Sequence, residues 1–129
     1  MEAKLTSSAL SQAELRGLLE SDEVKMSVVI SDPSLPDNLM VFVSEEFERQ
    51  TGYPAEEVIG RNCRFLQGRD TNPHAVEAIR QGLKAQTRFT IDILNYRKNG
   101  TPFVNRLRIR PIYDLEGGLM FFAGAQNPV

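Results

Sequence analysis

Three segments of alternating residues near the C-terminal end constrain the fold of this 129-residue chain more than any other feature. They read TRFTIDILNYR, TPFVNRLRIRPIY and LMFFAGAQ, and the turn-forming stretches KNG and DLEGG separate them. Alternation of apolar and polar residues is typical of strands that bury one face, and short connections with glycine are typical of hairpins. We therefore expect three antiparallel strands, with water on the side of the middle strand that carries Arg106, Arg108 and Arg110.

The preceding part of the chain predicts two more strands and several helices. MSVVIS and MVFVS are β-rich runs on either side of the turn-forming connection DPSLPDN. Short helical segments follow between Ser44 and Leu66. Asn72 and Pro73 then provide the N-cap and the first position of a longer helix that ends near Ala85. This order predicts an α+β domain with a five-stranded antiparallel sheet and its helices on one face.

The N-terminal segment predicts a helix outside this body. Ser11 and Glu14 match a capping box, and the helix is expected to continue to about Asp22. The apolar residues on one side of this helix are Leu15, Leu18 and Leu19. Such a stripe is suited to packing on the exposed face of the sheet or on a partner. The chain is accordingly divided into a cap helix (residues 1–23), a main domain (residues 24–127) and a C-terminal end (residues 128–129).

Net charge and cysteine content exclude several classes of protein. A formal net charge of -2 and a pI near 5.4 provide no field that attracts nucleic acid or an anionic membrane. No apolar run is long enough for a signal peptide or a membrane span, so we expect a cytoplasmic protein. The single cysteine, Cys63, cannot form an internal disulfide, and with the single histidine, His74, it cannot build a Cys-x-x-Cys metal site. We therefore expect no metal.

Three side-chain amides are predicted to lie on the inner face of the last three strands. On each of these strands the amide lies an even number of positions from the apolar residues, and therefore on the same face. The three amides are those of Asn95, Asn105 and Gln126. A buried amide without a partner costs about 1 to 3 kcal/mol. The amides could bond to one another or to water, but three on one face favour a ligand with alternating donors and acceptors, such as a uracil-like or flavin-like ring edge.

The stretch GRNCRFLQGRD places Cys63 among polar groups. Arg64 and Gln67 are three residues apart on one side of a short predicted helix, and Arg80 on the longer helix supplies a second guanidinium. Two arginines suit a phosphate and a glutamine suits a hydroxylated chain, whereas the alternative is that the arginines are solvated surface charges. Cys63 is either a small buried hydrophobe or a thiol held near a bound ring. A thiol-dependent enzyme lacks a suitable base, because His74 is expected to be solvated.

These residues carry a family resemblance. GRNCRFLQG resembles the signature of the light-oxygen-voltage (LOV) branch of the Per-Arnt-Sim (PAS) domains, and the resemblance continues through SDPSLPDN, FVSEEFERQTGYPAEEVIG, LNYRKNG, FVN and FFAGAQ, over about residues 24–126. The resemblance implies that flavin mononucleotide (FMN) is bound noncovalently in the dark. It also implies that blue light makes the cysteine sulfur bond to flavin carbon C4a, and that this adduct breaks again in darkness.

The resemblance also assigns roles to individual positions. It makes Cys63 the thiol that forms the adduct, and it makes Gln126, which faces flavin N5 and O4, the residue that relays the signal. The other polar contacts it implies are Arg64 and Arg80 to the phosphate, Asn62 and Gln67 to the ribityl chain, and Asn95 and Asn105 to the pyrimidine edge. The apolar lining it implies consists of Val29, Met40, Leu66, Leu107 and Ile109.

Two features bear on the function that is expected. Met40 stands where the family usually has a branched aliphatic residue, which bears on the lifetime of the adduct. The chain ends three residues after Gln126, as in the short LOV proteins that carry no attached effector. We therefore expect a blue-light photoreceptor without enzymatic activity. It should signal through its sheet, its N-terminal helix and a homodimer interface to an unidentified downstream protein. The alternative is a PAS-type small-ligand sensor, or a redox sensor that uses flavin, without photochemical signalling.

Overall fold

A computed structural model describes residues 10–129 of the chain. Its strands are β1 (Ser27–Asp32), β2 (Leu39–Val43), β3 (Phe89–Tyr96), β4 (Pro102–Tyr113) and β5 (Leu119–Pro128). They form one five-stranded sheet in the order β2-β1-β5-β4-β3, and all neighbouring strands are antiparallel. The predicted α+β fold is confirmed.

The helices follow the order that the sequence predicts. They are α1 (Gln12–Arg16), α2 (Glu45–Thr51), α3 (Ala55–Val58) and α4 (Pro73–Ala85), with 3₁₀ helices at Glu23–Lys25 and Cys63–Leu66. Helix α4 begins as expected, because the side chain of Asn72 accepts a hydrogen bond from the backbone of His74 and Pro73 occupies the first turn. It ends at Gln86, which has a left-handed backbone with φ of 56°.

The N-terminal helix is shorter than the sequence predicts. The capping box of Ser11 and Glu14 is present, but α1 ends at Arg16 instead of continuing to about Asp22. Gly17 follows, which is a poor helix former, and the carbonyl oxygen of Leu18 accepts a hydrogen bond from Arg110 of the sheet. Part of the predicted cap segment, residues 1–9, lies outside the described residues.

The leucines of the N-terminal segment pack on the sheet face opposite to α2–α4. Leu15 is fully buried, and Leu18 and Leu19 pack against the same cluster. The buried members of this outer cluster are Leu15, Val28, Ile30, Val41, Phe42, Ile112, Phe121 and Ala123. The leucine stripe therefore covers the sheet, as its spacing predicts. The inner face, by contrast, packs against α2–α4 and the Cys63–Leu66 helix.

One expectation about the outer face is wrong. Arg106 and Arg108 are exposed as predicted, but the side chain of Arg110 is only 11% exposed and bonds Glu23 at 2.7 and 2.9 Å. Burial on its own raises the pKa of Glu23. Hydrogen bonds from Arg110 and from the backbone of Glu20 outweigh that effect, so the net pKa lies below its ordinary value. The N-terminal segment thus covers part of the arginine side that was expected to face water.

Candidate functional site

A cavity of about 230 Å³ lies between the inner face of the sheet and the helices. Strands β1, β3, β4 and β5 form one wall, and the Cys63–Leu66 helix and α4 form the other. The residues predicted from the sequence that line it are Val29, Asn62, Cys63, Arg64, Leu66, Gln67, Arg80, Asn95, Asn105, Leu107, Ile109 and Gln126. The fold therefore brings together almost every residue that was singled out for binding.

Met40 is the exception, since it does not line the cavity. Its side chain is 1% exposed and packs in a cluster with Val29 and Leu66, both of which do line it. The backbone of Met40 bonds Arg61 and Gly60, each at 2.9 Å, and so ties β2 to the loop that leads into Cys63. Met40 is therefore a support behind the cavity wall, and its contact with a ligand stays a prediction.

Two polar lining residues were missed by sequence reasoning, namely Ser31 and Asn38. Asn38 belongs to the connection DPSLPDN, whose composition indicated only a turn. Asp37 and Asn38 have φ values of 65° and 49°, in the left-handed region that asparagine and aspartate tolerate better than most residues. The sequence carries no signal for Asn38 as a lining residue, because turn-forming composition does not indicate where a side chain points.

Cys63 is held at the start of its 3₁₀ helix by the preceding residue. Asn62 Oδ1 accepts a hydrogen bond from the backbone of Arg64 at 2.8 Å, and Asn62 Nδ2 donates to the carbonyl oxygen of Asp37 at 2.7 Å. Cys63 is an exposed residue that lines the cavity. Desolvation of its sulfur raises the pKa of the Cys63 thiol, and a backbone hydrogen bond and the charge of Arg64 only partly offset this effect. The sulfur is therefore a neutral thiol at neutral pH.

The three amides are buried together, but they differ in how far they are satisfied. Asn105 Nδ2 donates to Asn95 Oδ1 at 3.0 Å, and Asn105 Oδ1 accepts from the backbone of Asn127 at 3.1 Å. The alternative that the amides bond to one another therefore holds for this pair. Gln126 is 3% exposed, and its Oε1 has no hydrogen-bond partner among residues 10–129.

A second unpaired oxygen belongs to the same cavity. Asn38 Oδ1 is buried and finds no partner within the described part of the chain. Leaving a buried acceptor unpaired costs about 1 to 3 kcal/mol, so two of them on residues that line one cavity indicate a bound molecule or water. The apolar part of the wall suits a planar ring, since it includes Val76, Ile79, Leu83, Ile93, Phe122 and Gly124.

The two arginines lie at the exposed end of the cavity and are already paired. Arg64 makes a bidentate ion pair with Asp37 at 2.6 and 2.7 Å, which lowers the pKa of that carboxyl group. Arg80 bonds Glu77 at 2.6 and 3.1 Å. Each guanidinium has five N–H donors, so both can bind an anion with the donors that remain.

Comparison with known sequences identifies the fold family. The sequence matches the PAS domain family over residues 25–127. The chain belongs to the PAS domain family. A relative of this PAS domain, blue-light-activated histidine kinase 1 of Erythrobacter litoralis, is 45% identical over 106 residues, which are 82% of this chain and 29% of the kinase. The chain therefore spans less than a third of the length of that relative.

Solved structures refine the assignment within the family. The light-state LOV domain of the blue-light photoreceptor aureochrome1 is 40% identical with a TM-score of 0.79, and the similarity covers 81% of each chain. A LOV domain studied with a flavin analogue is 44% identical with a TM-score of 0.82, covering 94% of this chain and 87% of that one. This PAS domain is therefore of the LOV type, and its relatives are blue-light photoreceptors.

The described residues, 10–129, contain neither a candidate metal site nor a helix that could span a membrane. Within residues 10–129, no group of three or more histidine, cysteine, aspartate or glutamate side chains is placed to hold a metal ion. Over the same residues, no helix has the length and apolar character needed to cross a membrane. The cavity beside Cys63, by contrast, combines a thiol, buried amides and guanidinium groups.

Proposed function

We propose that this LOV domain is a blue-light photoreceptor that binds FMN in the cavity beside Cys63. The observation that carries the proposal is the position of Cys63, the single cysteine of the chain, which lines the same cavity as the amides of Asn95, Asn105 and Gln126. A thiol that lines the same cavity as three buried amides is suited to react with a heteroaromatic ring that those amides bind.

The residues that line the cavity include groups suited to each part of FMN. The amides of Asn95 and Asn105 offer donors and acceptors for the pyrimidine edge of the ring. Asn62, Gln67 and the unpaired Asn38 Oδ1 suit the hydroxyl groups of the ribityl chain. Apolar side chains from the sheet and α4 suit the faces of the ring.

The phosphate is assigned to Arg64 and Arg80, which line the exposed end of the cavity. Asp37 holds the Arg64 guanidinium in a fixed plane through two hydrogen bonds, so the remaining donors are oriented before a phosphate arrives. A charge-assisted contact at an exposed mouth contributes less than one in the interior, because water competes for the same donors. The arginines therefore supply orientation as well as affinity.

When bound, the flavin would supply absorption of blue light and an acceptor for reversible addition of the Cys63 S–H bond, with the sulfur going to C4a and the proton to N5. The protein contributes a thiol that stays protonated in the dark, since burial raises its pKa. This state differs from the thiolate that hydrolytic cysteine enzymes require. His74, the single histidine of the chain, is exposed and does not line the cavity. We infer that the domain itself catalyses no reaction.

The signal is proposed to leave through β5. Gln126 lies on its inner face, and Ala123 of the same strand belongs to the outer cluster with Leu15. Rotation of the Gln126 amide exchanges a donor for an acceptor without a change of charge. We infer that this rotation alters the packing of the N-terminal segment in a homodimer in the cytoplasm, which then acts on a downstream protein.

An absorption spectrum tests the proposal. The purified protein should be yellow, with a structured band in the blue that bleaches under blue light and returns in darkness. A colourless protein that takes up no FMN would contradict flavin binding. A flavin band that does not bleach would contradict the photochemistry and support a flavin-dependent sensor of another stimulus.

A further inference from the structure

Two buried oxygen atoms without partners lie opposite each other where β1 meets β5. Ser27 and Gln126 are Cα partners in the antiparallel pairing of these strands, and the register continues without a bulge to Ser31. Ser27 is 1% exposed, and its Oγ has no hydrogen-bond partner in the described part of the chain. The Oε1 atom of Gln126 is in the same condition.

Both side chains are on the inner face of the sheet. Ser27 is two residues before Val29 and therefore lies on the same face of β1, and Val29 lines the cavity. Val28, which lies between them, belongs to the outer cluster. Directly opposed residues of an antiparallel pair have Cβ atoms about 4.5 to 5.5 Å apart. A serine hydroxyl and a glutamine amide at that spacing reach each other through staggered rotamers, or through one shared water molecule.

We propose that Ser27 is a positioning residue that holds the amide of Gln126 in each of its two orientations. A hydroxyl group both donates and accepts. It can therefore donate to Gln126 Oε1 when the amide turns its NH2 group to the cavity, and it can accept from that NH2 group after the amide has rotated. Among the side chains that face Gln126 across β1, Ser27 is the one with an unused hydroxyl group.

This inference rests on the proposed function, because it concerns the residue that is proposed to relay the light signal. In Ser27→Ala, the group of the Gln126 amide that is turned away from the cavity loses its proposed partner. This group is the carbonyl oxygen in one orientation and the NH2 group in the other. A buried N–H group without a partner is less tolerated than a carbonyl oxygen, so the rotated, lit orientation loses more. We expect dark recovery to accelerate about threefold to tenfold, which is the size of one net hydrogen bond.

A spectroscopic signature separates positioning from a structural effect. The light-minus-dark infrared difference spectrum should contain an amide carbonyl band that disappears in Gln126→Leu and is thereby assigned to Gln126. In Ser27→Ala the dark component of this band should shift to higher wavenumber, since the carbonyl loses its donor. Ser27→Thr keeps the hydroxyl group and should restore both the band and the recovery rate to within about twofold of the parent protein.

The outcomes are distinguishable. A parent protein that does not bleach contradicts the proposed function itself. A parent protein that bleaches, together with a Ser27→Ala variant whose recovery rate and Gln126 band are unchanged, overturns the role of Ser27 alone. If threonine is too large for the buried position and the Ser27→Thr variant does not bind flavin, the recovery rate and infrared band of Ser27→Ala still test whether Ser27 positions Gln126.

Discussion

The two faces of the sheet bury polar groups to a similar degree, but they differ in whether those groups have hydrogen-bond partners within the described residues. On the outer face, Glu23 is 5% exposed, and its carboxylate bonds Arg110 and the backbone of Glu20. On the inner face, Gln126 is 3% exposed, and its Oε1 has no partner within residues 10–129. Burial alone therefore does not distinguish a structural polar group from a functional one.

The difference lies in whether hydrogen bonding is complete without a ligand. The outer face is closed by the N-terminal segment, and Arg110 reaches both Glu23 and the carbonyl oxygen of Leu18. The inner face is left with unpaired oxygens on Gln126 and Asn38 beside an open cavity. Since a fold that stands alone rarely leaves such atoms unpaired, the inner face indicates a ligand and the outer face indicates a packed cap.

The largest expected effect separates chemistry from binding on the inner face. Substitution Cys63→Ala leaves the amides and the arginines of the cavity in place, so FMN should remain bound while reversible bleaching is abolished. Flavin emission should increase and persist under illumination, because the reaction with sulfur no longer competes with it. Absorption and fluorescence under continuous blue light measure both. A Cys63→Ala variant that still bleaches reversibly with the same spectral change would contradict the assignment of the thiol.

The next largest effect, on stability, is expected from removing the ion pair on the outer face. Substitution Arg110→Met leaves the buried carboxylate of Glu23 without its ion-pair partner, and removing one partner of a buried pair costs about 3 to 5 kcal/mol. Because both side chains keep a little exposure to water, 11% for Arg110 and 6% for Glu23, we expect a somewhat smaller loss of about 2 kcal/mol in the free energy of unfolding. Denaturant unfolding of the dark protein measures it.

Arg106→Met is the matched control for that substitution. Arg106 is on the same strand and the same face, but its ion pair with Asp92 is exposed, so the control should change stability by less than about 1 kcal/mol. Equal losses in the two variants would show that the pair of Arg110 and Glu23 contributes no more than a surface contact.

The same pair predicts a dependence of stability on pH. The pKa of Glu23 is lowered in the folded protein, so the pair stabilises the fold above the ordinary pKa of a glutamate. This contribution is lost as the pH falls through the lowered pKa. In Arg110→Met the acid-dependent loss should be smaller, which unfolding curves between neutral and acidic pH can measure. An identical pH profile in both proteins would contradict the role of the ion pair.

Local sequence signals predicted most of the inner face, whereas contacts between distant segments explain what was missed. Alternation positioned Asn95 and Asn105, and the Asn72–Pro73 pair marked the start of α4. The burial of Arg110 could not be predicted, because it depends on a segment about 90 residues earlier that folds back over the strand. Asn38 was missed because a turn-forming composition gives no information about where its side chains point.

A smaller effect, on the rate of dark recovery, is expected from the same substitution at two methionines, one on each face of the sheet. Met40 supports the cavity wall behind Val29 and Leu66, and Met120 packs against the outer cluster. Methionine is flexible, so Met40→Ile should stiffen that wall and slow dark recovery about threefold to tenfold. Met120→Ile makes the same chemical change on the outer face and should leave the rate unchanged. Recovery of the blue absorption band after a light pulse measures both, and equal or faster recovery in Met40→Ile would contradict the argument.

The smallest expected effect asks whether a change on the inner face reaches the outer face. Leu15, Leu18 and Leu19 bury a surface worth a few kcal/mol at about 25 cal/mol per Å², which holds the segment but leaves it sensitive to a shift of β5. Light should therefore alter small-angle scattering of the proposed homodimer slightly. The alteration should be absent in Gln126→Leu and in a protein shortened to start at Asp22. Gln126→Leu changes only the inner face, and the shortened protein lacks only the N-terminal segment on the outer face. Loss of the light-induced change in scattering in both proteins would therefore indicate that β5 connects the two faces. A response that persists unaltered in both would mean that neither the amide nor the leucines carry the signal.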